Sequence, residues 1–201
     1  MFLNNVQEKL ILASASPRRR ELLAAAGYIF DVVPSPIDEP AGRWRLLSPQ
    51  QVAQSLAYFK ARSVWERHSR AWVLGADTIV AAADGQIIGK PSDREHARQI
   101  LSSLMGTRHS VITGVSLLGP SAIRLIAAQT THVTMRKATA AEIEAYLDSG
   151  EWQGKAGAYA IQETGDRFVQ SIEGSFSNIV GLPMESVERL LAEAAELAKS
   201  R

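Results

Sequence analysis

An α/β fold is predicted for this 201-residue chain by two features: short apolar segments alternate with amphipathic ones, and most of the amphipathic ones open on a capping residue. Composition agrees, since 46% hydrophobic and 21% charged residues suit a soluble globular protein. At this length we expect a single domain over residues 1–201.

Each element has a local reason. Leu10-Ile11-Leu12-Ala13 reads as a short buried strand. Ser16 then suits an N-cap, Pro17 the first helical position, and Gly27 the residue just past a helix ending at Ala26. Tyr28 to Val33 reads as a second strand and leads into the loop Pro34-Ser35-Pro36-Ile37-Asp38-Glu39-Pro40. Ser48-Pro49-Gln50-Gln51 is a capping box with proline inside it, opening a helix to about Arg67. Trp72 to Ala76 is a short buried strand, followed by a hairpin turned at Asp84-Gly85. Ser92-Asp93-Arg94-Glu95 is a second capping box, whose helix ends at Gly106. His109 to Leu118 and Ala122 to Arg136 are long strands around the turn Gly119-Pro120-Ser121. Thr139 and Glu142 cap another helix, stopped by Gly150. Gly150 to Gly181 reads as glycine-rich and strand-like, and a helix from Pro183 to about Lys199 closes the chain.

Charge and composition exclude several functions. Lys+Arg 22 against Asp+Glu 21 leaves a net charge of +1, which argues against nucleic acid as a partner. The chain has no cysteine, so disulfides, thiol catalysis and thiolate metal sites are absent. No apolar run reaches the roughly 18 residues of a membrane span, and Met1 to Lys9 has no signal-peptide core. A cytoplasmic location with no membrane partner is expected.

The residues that break local rules are the functional candidates. Arg18, Arg19 and Arg20 occupy the first turn of a helix, where free N–H groups already carry partial positive charge. A strand running into a helix N-terminus is a common anion site, so an anion is the simplest compensation; solvation or distant acids would also serve. Lys60 falls on the apolar stripe of Ala53, Leu56, Ala57, Ala61 and Val64, so it either snorkels to water or reaches an anion in a cleft. Asp77 directly follows the strand Val73-Leu74-Gly75-Ala76, a position suited to a metal or proton transfer, or to capping a turn through Thr78 or Ile79. Lys90, in Gly89-Lys90-Pro91, is a further cation; Asp38 and Glu39 could complete a divalent-metal site with Asp77. Gln162 ends Gly154-Lys155-Ala156-Gly157-Ala158-Tyr159-Ala160-Ile161 and offers both donor and acceptor to a base edge. His68, His96, His109 and His132 show no paired ligand spacing and read as structural or surface residues. Pooled, an anion site, several cations and several acids suit a metal-bound polyphosphate, and no P-loop is present.

With these residues in place, the chain resembles the Maf family of nucleoside triphosphate pyrophosphatases from Leu10 to about Leu191. The resemblance rests on Ser14-Ala15-Ser16-Pro17-Arg18-Arg19, Asp38-Glu39, Lys60-Ala61, Gly75-Ala76-Asp77-Thr78 and Gly89-Lys90-Pro91. It continues in His109-Ser110-Val111-Ile112-Thr113, Lys155 to Gln162 and Val180-Gly181-Leu182-Pro183. It implies a mixed α/β sheet with flanking helices, two lobes around a deep cleft, and a fold shared with inosine triphosphatases, often as a homodimer. It also implies hydrolysis of a nucleoside triphosphate to monophosphate and pyrophosphate with Mg²⁺ or Mn²⁺. By position, Asp77 is then the catalytic acid group, Glu39 and Asp77 hold the metal, and Ser14, Arg18, Arg19, Lys60 and Lys90 grip the phosphates. Thr78 and Gln162 lie where the family discriminates the base. Ala76-Asp77-Thr78 and Ala158-Tyr159-Ala160-Ile161-Gln162 match the dTTP/UTP subgroup, whereas the 7-methyl-GTP subgroup carries Ser-Asp-Gln and lacks the glutamine. Glu163 departs from that subgroup's glycine and bears on base choice. The alternatives are a 7-methyl-GTP or broader pyrophosphatase, or a non-enzymatic nucleotide-sensing inhibitor of septum formation.

Overall fold

The computed structural model describes residues 9–37, 46–161 and 164–199. Among these residues seven strands form one mixed sheet: β1 (Leu10–Leu12), β2 (Asp31–Val32), β3 (Trp72–Ala81), β4 (Ile87–Ile88), β5 (Arg108–Leu118), β6 (Arg124–Met135) and β7 (Val169–Glu173). Their order is β2-β1-β3-β5-β6-β7, with β4 paired to β3. β2, β1 and β3 run parallel, while β3, β5, β6 and β7 form an antiparallel meander. The predicted α/β class is therefore realised as a mixed sheet, with β3 as the strand where direction changes.

Among the described residues six α-helices flank it: α1 (Pro17–Ala25), α2 (Pro49–Trp65), α3 (Arg94–Leu104), α4 (Ala140–Ser149), α5 (Phe176–Val180) and α6 (Met184–Lys199). No helix among the described residues is long and apolar enough to cross a membrane. Alternation along β3 sorts the layers, because successive side chains of a strand point to opposite faces. Val73, Ile79 and Ala81 face α2, where they meet Ala61 and Val64 at one end and Val52, Ala53 and Leu56 at the other. On the opposite face, Trp72, Leu74 and Ala76 pack with Val187, Leu190, Leu191 and Ala194 of α6. Val80, further along that face, belongs instead to the cluster of Leu101, Leu104, Tyr146 and Phe168 around α3 and α4. Thr78 lies between these two clusters.

The seat of α2 is set by missing side chains. A Cβ on Gly75 would stand 2.5 Å from the Ala57 carbonyl oxygen, and one on Gly114 only 2.2 Å from that of Ala53. Ala53, Ala57 and Ala61, spaced four apart, let the helix backbone descend onto these two glycines. Gly114 pairs with Asp77 in the β3–β5 register, so the same close approach carries Lys60 to Asp77.

Local signals set most boundaries. Ser16 caps α1 and Pro17 begins it; Gly27 follows at φ +80°, a backbone shape only glycine adopts without strain. The Ser48–Gln51 and Thr139–Glu142 capping boxes are both closed, and α4 ends at left-handed Gly150. Four expectations change. β3 runs five residues past Ala76, because β5 pairs with it as far as Ala81. β2 shrinks to Asp31 and Val32, the two residues that pair with Ile11 and Leu12 of β1. The N-cap of α3 is Asp93, not Ser92, because the Asp93 carboxylate accepts the His96 N–H at 2.8 Å. Gly150 to Gly181 is mostly turns and short helices, with β7 its only strand among the described residues. Left-handed Gly150, Gly154, Gly157 and Gly174 break that segment up.

Candidate active site

β1 ends at Leu12, paired with Leu74, and β4 joins β3 only at Val80. Between them, no strand among the described residues pairs with Gly75 to Ile79 on that edge of β3. This gap opens both faces of the sheet to one space, and a cavity of about 200 Å³ lies there. Asp77 enters it from the α2 face and Thr78 from the other.

Most of the sequence candidates converge here. Arg18, Arg19, Lys60, Asp77, Thr78 and Lys90 all line the cavity. Asp77 is not a turn cap but a mid-strand residue, 2% exposed, whose carboxylate forms an ion pair with the Lys60 ammonium. Lys60 therefore does not snorkel from its helix to bulk water; its side chain is only 16% exposed. Arg20 is exposed and is not among the lining residues. Glu39 and Asp38 lie outside the described residues, as do Gln162 and Glu163. Gln162 is the next residue after Ile161, which lines the cavity beside Tyr159 and Ala160.

Ser14 is buried beside two lining residues, where its Oγ accepts from Arg19 Nη1 at 3.2 Å and from the Ser16 amide at 3.2 Å. Arg19 is thus held on three sides: its Nε donates to the Gly181 carbonyl at 2.8 Å and its Nη2 to Thr78 Oγ1 at 3.2 Å. The loop after β1, the edge of β3 and the end of α5 each supply one acceptor.

Two contributors were not singled out from sequence. Lys155 lines the cavity between Gly154 and Ala156, so its motif was visible but its charge was passed over in favour of its glycines. Tyr159 forms a wall while its hydroxyl bonds His109 Nε2 at 2.8 Å. Burial lowers the His109 pKa to about 4 and raises that of Tyr159, so both are neutral near pH 7. His109 is buried, 1% exposed, against Tyr159.

Five cationic side chains (Arg18, Arg19, Lys60, Lys90, Lys155) and one carboxylate (Asp77) line the cavity among the described residues. Like charges gathered in a confined space repel one another and concentrate an anion. Among the described residues there is no group of three or more His, Asp or Glu able to hold a metal. Asp77 alone still suits a cation shared with phosphates, since Mg²⁺ is usually held by one or two carboxylates plus substrate oxygens.

Fold and cavity define a class: an α/β protein with a cation-lined cleft at the strand where sheet direction changes. Comparison makes the assignment specific. The Maf-like protein family model matches residues 9–194, and the chain belongs to that family. It is similar to the dTTP/UTP pyrophosphatase of Moorella thermoacetica, at 46% identity over 92% of this chain and 94% of that one. The dTTP/UTP pyrophosphatase of Koribacter versatilis is 43% identical over 98% of this chain and 100% of its own. That of Syntrophotalea carbinolica is 47% identical over 90% and 84%. Among solved structures, a HAM1 protein from Coxiella burnetii shares the fold, with a TM-score of 0.54 at 16% identity, over 94% of this chain and 99% of that one.

Proposed function

We propose that this chain hydrolyses nucleoside triphosphates, dTTP and UTP foremost, to the monophosphate and pyrophosphate. The observation that carries the proposal is the five cations that line one cavity with Asp77 in the gap of β3. The names of the relatives at 43–47% identity support the same reaction and the same pyrimidine substrates.

Phosphoryl transfer needs mainly positioning and charge neutralisation, which this cavity offers. Arg18 and Arg19 from α1, Lys60 from α2, and Lys90 and Lys155 from two loops grip the triphosphate. Ser14 serves through Arg19, accepting from its Nη1. Asp77 directs a water at the α-phosphorus and takes its proton; the bond from that phosphorus to the bridging oxygen breaks, and pyrophosphate leaves. Lys60 fixes the carboxylate for that task. Asp77 and Glu39 would hold the divalent cation. When bound with the triphosphate, Mg²⁺ or Mn²⁺ neutralises charge on the phosphate oxygens. Thr78 and Gln162 flank the base end.

A panel of dTTP, UTP, purine triphosphates and 7-methyl-GTP, assayed with Mg²⁺ and with Mn²⁺, tests this reading. Pyrophosphate should be released fastest from dTTP and UTP. Release of inorganic phosphate in its place rejects α–β cleavage, and a preference for 7-methyl-GTP rejects the pyrimidine assignment.

A further inference from the structure

Thr113 and Asn178 are buried at 0% exposure and line no part of the cavity, yet both join it through hydrogen bonds. Thr113 Oγ1 donates to the Asn178 backbone carbonyl at 3.0 Å. A threonine hydroxyl has one proton, and a carbonyl can only accept. The 2.9 Å contact between Thr113 Oγ1 and Thr78 Oγ1 must therefore run from Thr78 to Thr113. Thr78, its proton committed, accepts from Arg19 Nη2.

The path closes on itself. The Asn178 carbonyl that takes the Thr113 proton also accepts the Gly181 N–H at 3.0 Å, and the Gly181 carbonyl accepts Arg19 Nε. Arg19, Thr78, Thr113, Asn178 and Gly181 thus form a ring of directed hydrogen bonds. The Asn178 side chain bolts the ring to the sheet, donating from Nδ2 to the Val111 carbonyl at 2.9 Å and to Thr131 Oγ1 at 3.0 Å.

We propose that Thr113 and Asn178 are positioning residues for Arg19, holding its guanidinium at the angle that receives the substrate's phosphates. This rests on the pyrophosphatase reading, in which Arg19 binds phosphate. A planar guanidinium recognises phosphate only in the right orientation, so a tilt costs binding even when no contacting residue has changed. Towards a base, the Thr78 hydroxyl then offers an acceptor and no proton.

Thr113→Val keeps the side chain's shape and removes the ring's central hydroxyl; Thr113→Ser restores it. With the full-length protein and a melting curve confirming the fold, Thr113→Val should raise KM for dTTP and the inhibition constant of inorganic pyrophosphate by about tenfold. The loss should fall on KM more than on kcat, and Thr113→Ser should behave as the parent. In an Arg19→Ala background the same Thr113→Val change should shift KM by less than about twofold, because its target is gone. Full tenfold loss in that background, or an unchanged KM in Thr113→Val alone, overturns the proposal. If Thr113→Val fails to fold, Asn178→Ser takes its place in the same cycle. A separate readout is the NMR signal of the Arg19 Nε–H, which the Gly181 carbonyl protects from solvent exchange. Faster exchange in Thr113→Val supports the ring, and unchanged protection overturns it. This last measurement stands even if the parent hydrolyses no nucleotide, a result that would reject the reaction and not the ring.

Discussion

In the proposed reaction, Asp77 is the residue on which the chemistry turns. It is the only carboxylate lining the cavity among the described residues, and Lys60 holds it from the next layer. Asp77→Ala should fold as the parent and lose turnover by about three orders of magnitude or more, measured as pyrophosphate release. A variant that keeps most of its activity removes Asp77 from the centre of the mechanism. His109 matters for stability. Burial depresses its pKa to about 4, so the unfolded chain takes up this proton before the folded one does. Its contribution is intact above the unfolded value of about 6.5 and is lost as pH falls from there to about 4. Between pH 7 and pH 4.5 the parent should lose about 2 kcal/mol more than His109→Gln in urea denaturation. An equal loss in both proteins would place the acid sensitivity elsewhere.

Among the elements, α2 carries the tightest geometric demand, because its backbone rests on Gly75 and Gly114. Gly75→Ala places a methyl group 2.5 Å from the Ala57 carbonyl, so the helix must lift. Overpacking of this kind costs about 1–3 kcal/mol, and lifting α2 also draws Lys60 from Asp77. Urea midpoints and pyrophosphate release should fall together. Gly89→Ala meets nothing within 4 Å and should leave stability within about 0.5 kcal/mol. The start of α1 was legible from sequence because cap, proline and arginines lie within a few residues of one another. The length of β3 was not, because β5 sets it from the far side of α3. Asp77 was therefore placed at a strand end when it belongs in mid-strand. The cations of Arg18, Arg19 and Lys60 can be read singly as violations of local rules, whereas Lys90 gains meaning only beside the others. Thr113 and Asn178 violate nothing locally, and only the tertiary structure shows their hydrogen-bond partners.

At the scale of the whole molecule, the site lies where the parallel and antiparallel parts of the sheet meet. β5 and β6 adjoin in sequence and pair over eleven positions, whereas Leu10 reaches Trp72 only across α1, β2 and α2. Closing a long loop costs entropy before its contacts repay it, so local pairings tend to form first. The meander should therefore assemble early and β1 dock late. Stopped-flow refolding tests this order: substitutions in the β5–β6 hairpin should slow folding, and Ile11→Val should chiefly speed unfolding. The opposite pattern would make β1 part of the nucleus. Because Ser14, Arg18 and Arg19 follow β1 directly, the proposed phosphate grip would be complete only when that strand arrives. On that folding order, catalytic competence would be the last property the chain acquires, and the first it gives up when β1 lets go.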